Sequence, residues 1–156
     1  NKGRTIKKRT RAEDISTTLQ SNAFEYIKNN TSLDPGKLHP KIWIYFTRLT
    51  LVHRKDKERM TIDLDLHFQD AEHHKEVSLS NLVVAEVKQE NFTTDSDFMR
   101  IVHDEQIRPM RMSKYCVGAV LLYPGLKYNR FKKKLLKLNK LHYDTAGHEA
   151  VWKQVI

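Results

Sequence analysis

The 156 residues are 39% hydrophobic and 30% charged, with a formal net charge of +9, a composition that fits one globular domain with its own core. No run reaches the length of a membrane span, and the basic opening Asn1-Lys2-Gly3-Arg4 leads into no apolar signal-peptide core, so the expected location is cytoplasmic. Cys116 is the only cysteine, which excludes an internal disulfide and a cysteine-rich zinc site.

In chain order, Thr5 to Arg11 predicts a basic strand with Lys7 and Arg9 on one face. Residues 20–30 predict a short helix, capped by Ser21 or Asn22 and burying Phe24 and Ile27. Asp34-Pro35-Gly36 is a turn signal, and Pro40 bounds a strand over 41–52 that sets Arg48 beside Phe46 and Thr50. Residues 53–57 form a hairpin loop into a strand over 59–68 whose alternation is strict. Met60, Ile62, Leu64, Leu66 and Phe68 fall on one side, and Arg59, Thr61, Asp63, Asp65 and His67 on the other. After a polar loop, 77–90 predicts a further strand with Glu86, Lys88 and Glu90 opposite Val83, Ala85 and Val87. A helix is expected over 94–106, capped by Thr94 or Asp95, with Phe98, Ile101 and Val102 as its buried stripe. Met112 to Tyr123 predicts a strand, with Val117, Ala119 and Leu121 on one side and Pro124-Gly125 breaking it. Phe131, Leu135, Leu138 and Leu141 then mark an amphipathic basic helix over 127–141.

Strands linked by hairpins, with helices inserted between them, point to an antiparallel α+β fold. A strand face carrying Arg, Lys and carboxylates must stay wet or filled by ligand, because unpaired buried charge is too costly. An antiparallel β-barrel with an aqueous bore meets that requirement. The charge is also segregated: residues 1–11 carry +6, 12–106 carry −6 and 107–156 carry +9. That pattern suits an anionic ligand met by particular elements, with carboxylates nearby for a metal or for balance. Guanidinium forks and lysine point charges grip phosphate oxygens, and a Mg²⁺-like ion takes one or two carboxylates plus phosphate oxygens. Asp63, Asp65, Glu86 and Glu90 are the carboxylates that could hold such an ion or neutralise Lys and Arg.

The plainer alternatives are definite. Arg59, Asp63 and Asp65 could form a solvated face with cross-strand ion pairs. Apart from adjacent His73 and His74 in a polar loop, the histidines have no zinc-like spacing, and a surface role is the plainer reading for all of them. Lys132-Lys133-Lys134 reads first as a solvated helix face, with a polyphosphate exit path or a membrane-surface contact as the sharper readings. Trp43, Tyr45, Tyr115 and Tyr123 are not spaced as a base-stacking platform, so no specific nucleic-acid partner is expected.

Five segments together resemble the VTC domain, the polyphosphate polymerase domain within the triphosphate tunnel metalloenzyme superfamily. They are Gly3-Arg4-Thr5-Ile6-Lys7-Lys8-Arg9, Phe46-Thr47-Arg48, Arg59-Met60-Thr61-Ile62-Asp63, Ala85-Glu86-Val87-Lys88 and Met112-Ser113-Lys114-Tyr115. The resemblance implies a tunnel of antiparallel strands in which Lys7, Arg9, Arg48, Arg59, Lys88 and Lys114 contact the phosphates of ATP, another nucleoside triphosphate or inorganic polyphosphate. Arg48, Arg59 and Lys114 would be the catalytic cations, and Glu86 would hold Mn²⁺ or Mg²⁺. The implied activity is transfer of the terminal phosphoryl group of ATP to a growing polyphosphate. A triphosphatase or tripolyphosphatase of the same superfamily and a noncatalytic polyanion-binding module are the alternatives. The family's tunnel begins with strands upstream of these motifs, so the chain is expected to be the C-terminal part of the domain, its barrel incomplete on the N-terminal side.

Overall fold

The computed structural model describes residues 7–11, 18–19, 21–55, 57–90 and 93–146, with side chains described through Leu141. The chain divides into two compact units, Asn1–Lys41 and Ile42–Ile156.

In the first unit, α1 spans Ser21–Asn30 with Phe24 and Ile27 half-buried. A single 3-10 turn, Pro35–Lys37, follows, capped by Asp34, whose carboxylate accepts the Gly36 N–H at 3.0 Å. Residues 7–11 form no strand. They run beside α1, with Lys8 Nζ donating to Asn30 Oδ1 at 2.9 Å and Asn22 Nδ2 donating to the Arg11 carbonyl at 3.1 Å. A strand needs a ladder, and residues 7–11 have no ladder partner among the described residues. Thr5, Ile6 and Gln20 of the expected elements lie outside those residues.

The second unit is α+β. Strand β1 (Ile42–Val52) pairs antiparallel with β2 (Glu58–Asp70) across the expected hairpin, and β3 (Glu76–Leu79) and β4 (Val84–Gln89) both pair antiparallel with β2. The expected strand over 77–90 is therefore interrupted: β3 lies against Leu66 to Gln69 and β4 against Glu58 to Asp63. The break falls opposite an irregularity in β2. Tyr45 pairs with His67 but Thr47 pairs with Leu64, so Asp65 and Leu66 together oppose Phe46 alone. This is a β-bulge, and Asp65 takes a left-handed φ of 53° to accommodate it.

The bulge corrects the expected facing of β2. The alternation is in phase only through Leu64; beyond the bulge Leu66 and Phe68 join the side that carries Thr61 and Asp63. One face of the sheet is thus apolar at one end, with Ile42, Ile44, Leu66, Phe68, Val77 and Leu79, and polar at the other. His67 moves to the opposite face beside Tyr45, their rings 5.8 Å apart.

Over the apolar end lies α3, Lys114–Leu122, a helix where a strand is expected. Its apolar run is buried nearly all round, so periodicity does not distinguish the two forms, whereas Ser113 supplies a helix cap by accepting the Cys116 N–H at 3.3 Å. Gly118 sits directly on the Phe68 ring, closer than any Cβ would permit. The basic helix is α4, Lys132–Ala146; Leu135 and Leu138 complete the core with Val117, Val120, Leu121 and Leu122, while Leu141 is exposed. The remaining helix, α2, spans Asp97–Asp104. Its cap is Ser96, which accepts the Met99 N–H, and Ile101 faces solvent while Phe98, Met99 and Val102 are half-buried.

The described sheet is open and does not close into the expected barrel. Among the described residues β1 has no partner on its outer edge. On the side away from α3, Leu49 and Leu51 remain 50% and 51% exposed beside half-buried Met60, Ile62 and Leu64. No described helix is long and apolar enough to cross a membrane.

Candidate functional site

Residues directly opposite one another in an antiparallel pair project from the same face. Arg48 opposes Asp63, Thr61 opposes Glu86 and Arg59 opposes Lys88. The pairings bring Arg48, Arg59, Asp63, Glu86 and Lys88 onto the polar end of the face covered by α3. Lys114, the first residue of α3, reaches the same place from above.

Asp63 is the hub. Arg48 grips it with Nε on Oδ1 at 2.6 Å and Nη2 on Oδ2 at 2.8 Å, and Lys114 Nζ approaches Oδ2 at 2.5 Å. The Asp63 side chain is only 2% exposed, against 42% for Arg48 and 20% for Lys114, so the carboxylate is sunk beneath two cations that retain access to solvent. The hydrogen bonds from Arg48, with Lys114 adding to them, hold the Asp63 carboxyl down to about 2 from its ordinary 3.8, against the opposing pull of burial. Arg48 is shifted upward in turn, mainly by its bond to Asp63. The Phe46 ring lies under both cations, 5.0 Å from Arg48 Cζ and 5.1 Å from Lys114 Nζ. This cation–π floor keeps both heads at one level.

Beside this clamp, Lys88 Nζ lies 3.0 Å from Glu86 Oε1. That bond keeps the Glu86 carboxyl below its usual value, with partial burial opposing and Lys114 and Arg48 reinforcing. Glu86 is therefore ionised and, at about half exposure, accessible. Thr61, opposite it, is buried, and its hydroxyl has no hydrogen-bond partner among the described residues. Arg59 is exposed and makes no ion pair among the described residues. The face thus holds four cations against two carboxylates and can bind an anion of more than one charge.

Other expected residues fall elsewhere. Lys7 and Arg9 are exposed in the first unit. Asp65 is on the bulge, and Glu90 pairs with Lys57 at 2.9 Å. No cluster of three or more His, Cys, Asp or Glu able to hold a metal exists among the described residues; the His142 side chain and His148 lie outside them. A divalent ion on this face would have Glu86 as its protein carboxylate, with the Thr61 hydroxyl as a neighbouring hard oxygen. That donor set fits Mg²⁺ or Mn²⁺ held jointly with ligand phosphates.

Asp63 takes the neutralising role the sequence allowed it, with Arg48 and Lys114 as its cations. One feature escaped the sequence: Ser113 is the cap that starts α3 and so places Lys114. A Ser-Lys pair immediately before a nine-residue apolar run is its available signal.

No curated protein and no solved structure resembles the chain at a significant level. A family comparison does: the VTC domain matches residues 4–123, a span that contains β1 to β4, the whole polar face and α3. With well over half its length matched, the chain belongs to the VTC domain family.

Proposed function

We propose that the chain is a polyphosphate-handling phosphotransferase, moving the terminal phosphoryl group of a nucleoside triphosphate such as ATP onto inorganic polyphosphate along the polar face. Membership of the VTC family ties it to polyphosphate in general terms. The observation that carries the finer reading is the convergence of Arg48, Arg59, Lys88 and Lys114 around ionised Glu86 on one face. Phosphoryl transfer asks a protein mainly for positioning and charge neutralisation. Arg48 and Lys114, fixed by Asp63 and Phe46, offer their remaining N–H groups at set positions. Arg59 supplies a planar fork with no competing carboxylate among the described residues, and the Thr61 hydroxyl can donate to a phosphate oxygen. VTC-like domains generally use divalent metals, and Mn²⁺ or Mg²⁺ bound at Glu86 would neutralise charge across phosphate oxygens. In this reading the face is one wall of a tunnel.

The open sheet and the single accessible carboxylate favour a second reading, a noncatalytic polyanion-binding module. The test is Mn²⁺- or Mg²⁺-dependent turnover of ATP by the full chain and its Glu86→Gln variant. The expected result is wild-type turnover, lost in the variant while the fold and most tripolyphosphate affinity remain. Long chains as product identify a polymerase, and free phosphate alone a triphosphatase. Wild-type inactivity with either metal leaves the binding module.

A further inference from the structure

We propose that the solvent face of α4 is a docking track for long phosphate polymers, separate from the sheet site. The polymer's identity rests on the reading above; the track itself rests on α4. Lys132, Lys133, Lys137 and Lys140 are all exposed on this helix, while Leu135 and Leu138 are buried in the core. At 3.6 residues per turn the four lysines occupy an arc of about 140°. None makes an ion pair among the described residues, and the sequence from 106 to 143 contains no Asp or Glu.

Such a surface works against its own helix. Lysines fill the first turn, where the helix dipole disfavours cations, and the first turn holds no acid to offset them. Lys133 and Lys137 repel at i,i+4, as do Lys137 and Lys140 at i,i+3. The helix persists through the packing of Leu135 and Leu138, and its solvent face, with Leu136 set among the lysines, is complementary in charge to something anionic that runs along it. A lipid surface suits less well. A helix lying in a bilayer interface buries a broad apolar face there, whereas on α4 Leu135 and Leu138 are already in the protein core and only Leu136 and Leu141 are exposed. The helix also lies beyond the 4–123 family match, so the family motifs do not account for its lysines.

The experiment measures binding of long-chain polyphosphate and of tripolyphosphate to the full chain and to Lys133→Gln/Lys137→Gln/Lys140→Gln. The long polymer is expected to bind the variant about tenfold more weakly, its log–log salt slope falling by about 2, with tripolyphosphate affinity unchanged. The corresponding triple Lys→Arg variant should retain wild-type binding, as a charge-based track requires. Unchanged long-chain affinity, or equal losses for both ligands, overturns the track. So does wild-type binding to phosphatidylserine vesicles without binding to polyphosphate. A wild type that binds only the long polymer, through these lysines, removes the sheet reading and leaves the track standing.

Discussion

Asp63 gives both carboxylate oxygens to cations, and its depressed pKa links the clamp to stability. The folded-state value lies below the unfolded one, so the contribution is complete above about pH 4 and is lost as the pH falls through about 2. It amounts to roughly 2 kcal/mol, taking 1.4 kcal/mol per unit. Urea denaturation between pH 6 and 2 should show wild type losing this increment and Asp63→Asn lacking it throughout. Removing a cation has a different effect. Arg59 pairs with no carboxylate among the described residues, so Arg59→Ala should leave the denaturation midpoint unchanged and weaken tripolyphosphate binding at least tenfold by calorimetry, an outcome expected of a charge-assisted phosphate contact. Asp63 was only partly legible in the sequence. Its alternation with Arg59 put both on one face, but the identity of its partners depends on register and on a helix 50 residues away.

At the scale of the element, α3 is positioned by what it lacks. Gly118 lets the helix backbone rest on Phe68, which is fully buried and has nowhere to move. Gly118→Ala should cost about 3 kcal/mol, as overpacking a filled core does. Because Lys114 starts the same helix, tripolyphosphate affinity should fall with it; thermal unfolding and calorimetry on one preparation check both. The strand expected here fails for a physical reason. Alternating Val117, Ala119 and Leu121 sit within a run whose intervening residues, Gly118, Val120 and Leu122, are also buried, and a wholly apolar segment carries no phase. Where one side of an element meets solvent, the periodicity gave its faces in part: Glu86 and Lys88 share a face of β4, although the strand expected over 77–90 is two strands, and Leu135 and Leu138 are buried on α4, which runs Lys132–Ala146 with Leu141 exposed.

Across the whole second unit, one sheet face performs two tasks in sequence, core at one end and charge at the other, and the strand β2 runs through both. The charged half was legible because Arg59, Thr61 and Asp63 alternate with apolar residues. The junction was not, because Asp65 continues the polar rhythm at the point where the backbone abandons it. An incomplete barrel was expected only through the family resemblance, since a strand's own sequence does not record whether its far edge is paired.

The bulge therefore makes β2 sensitive to length more than to content. One extra residue keeps Leu66 and Phe68 in the core while Arg59 and Asp63 stay with the charges of the polar end. Excising Asp65 would shift the strand's reading frame, turning one of these two groups to the wrong side. Such a deletion should leave no cooperative unfolding transition, whereas Asp65→Gly, which tolerates the same left-handed backbone, should unfold within about 1 kcal/mol of wild type. Chains descended from this one can lengthen or shorten freely in the turns at 53–57 and 71–75. Within β2 they can change letters, but they cannot lose this one.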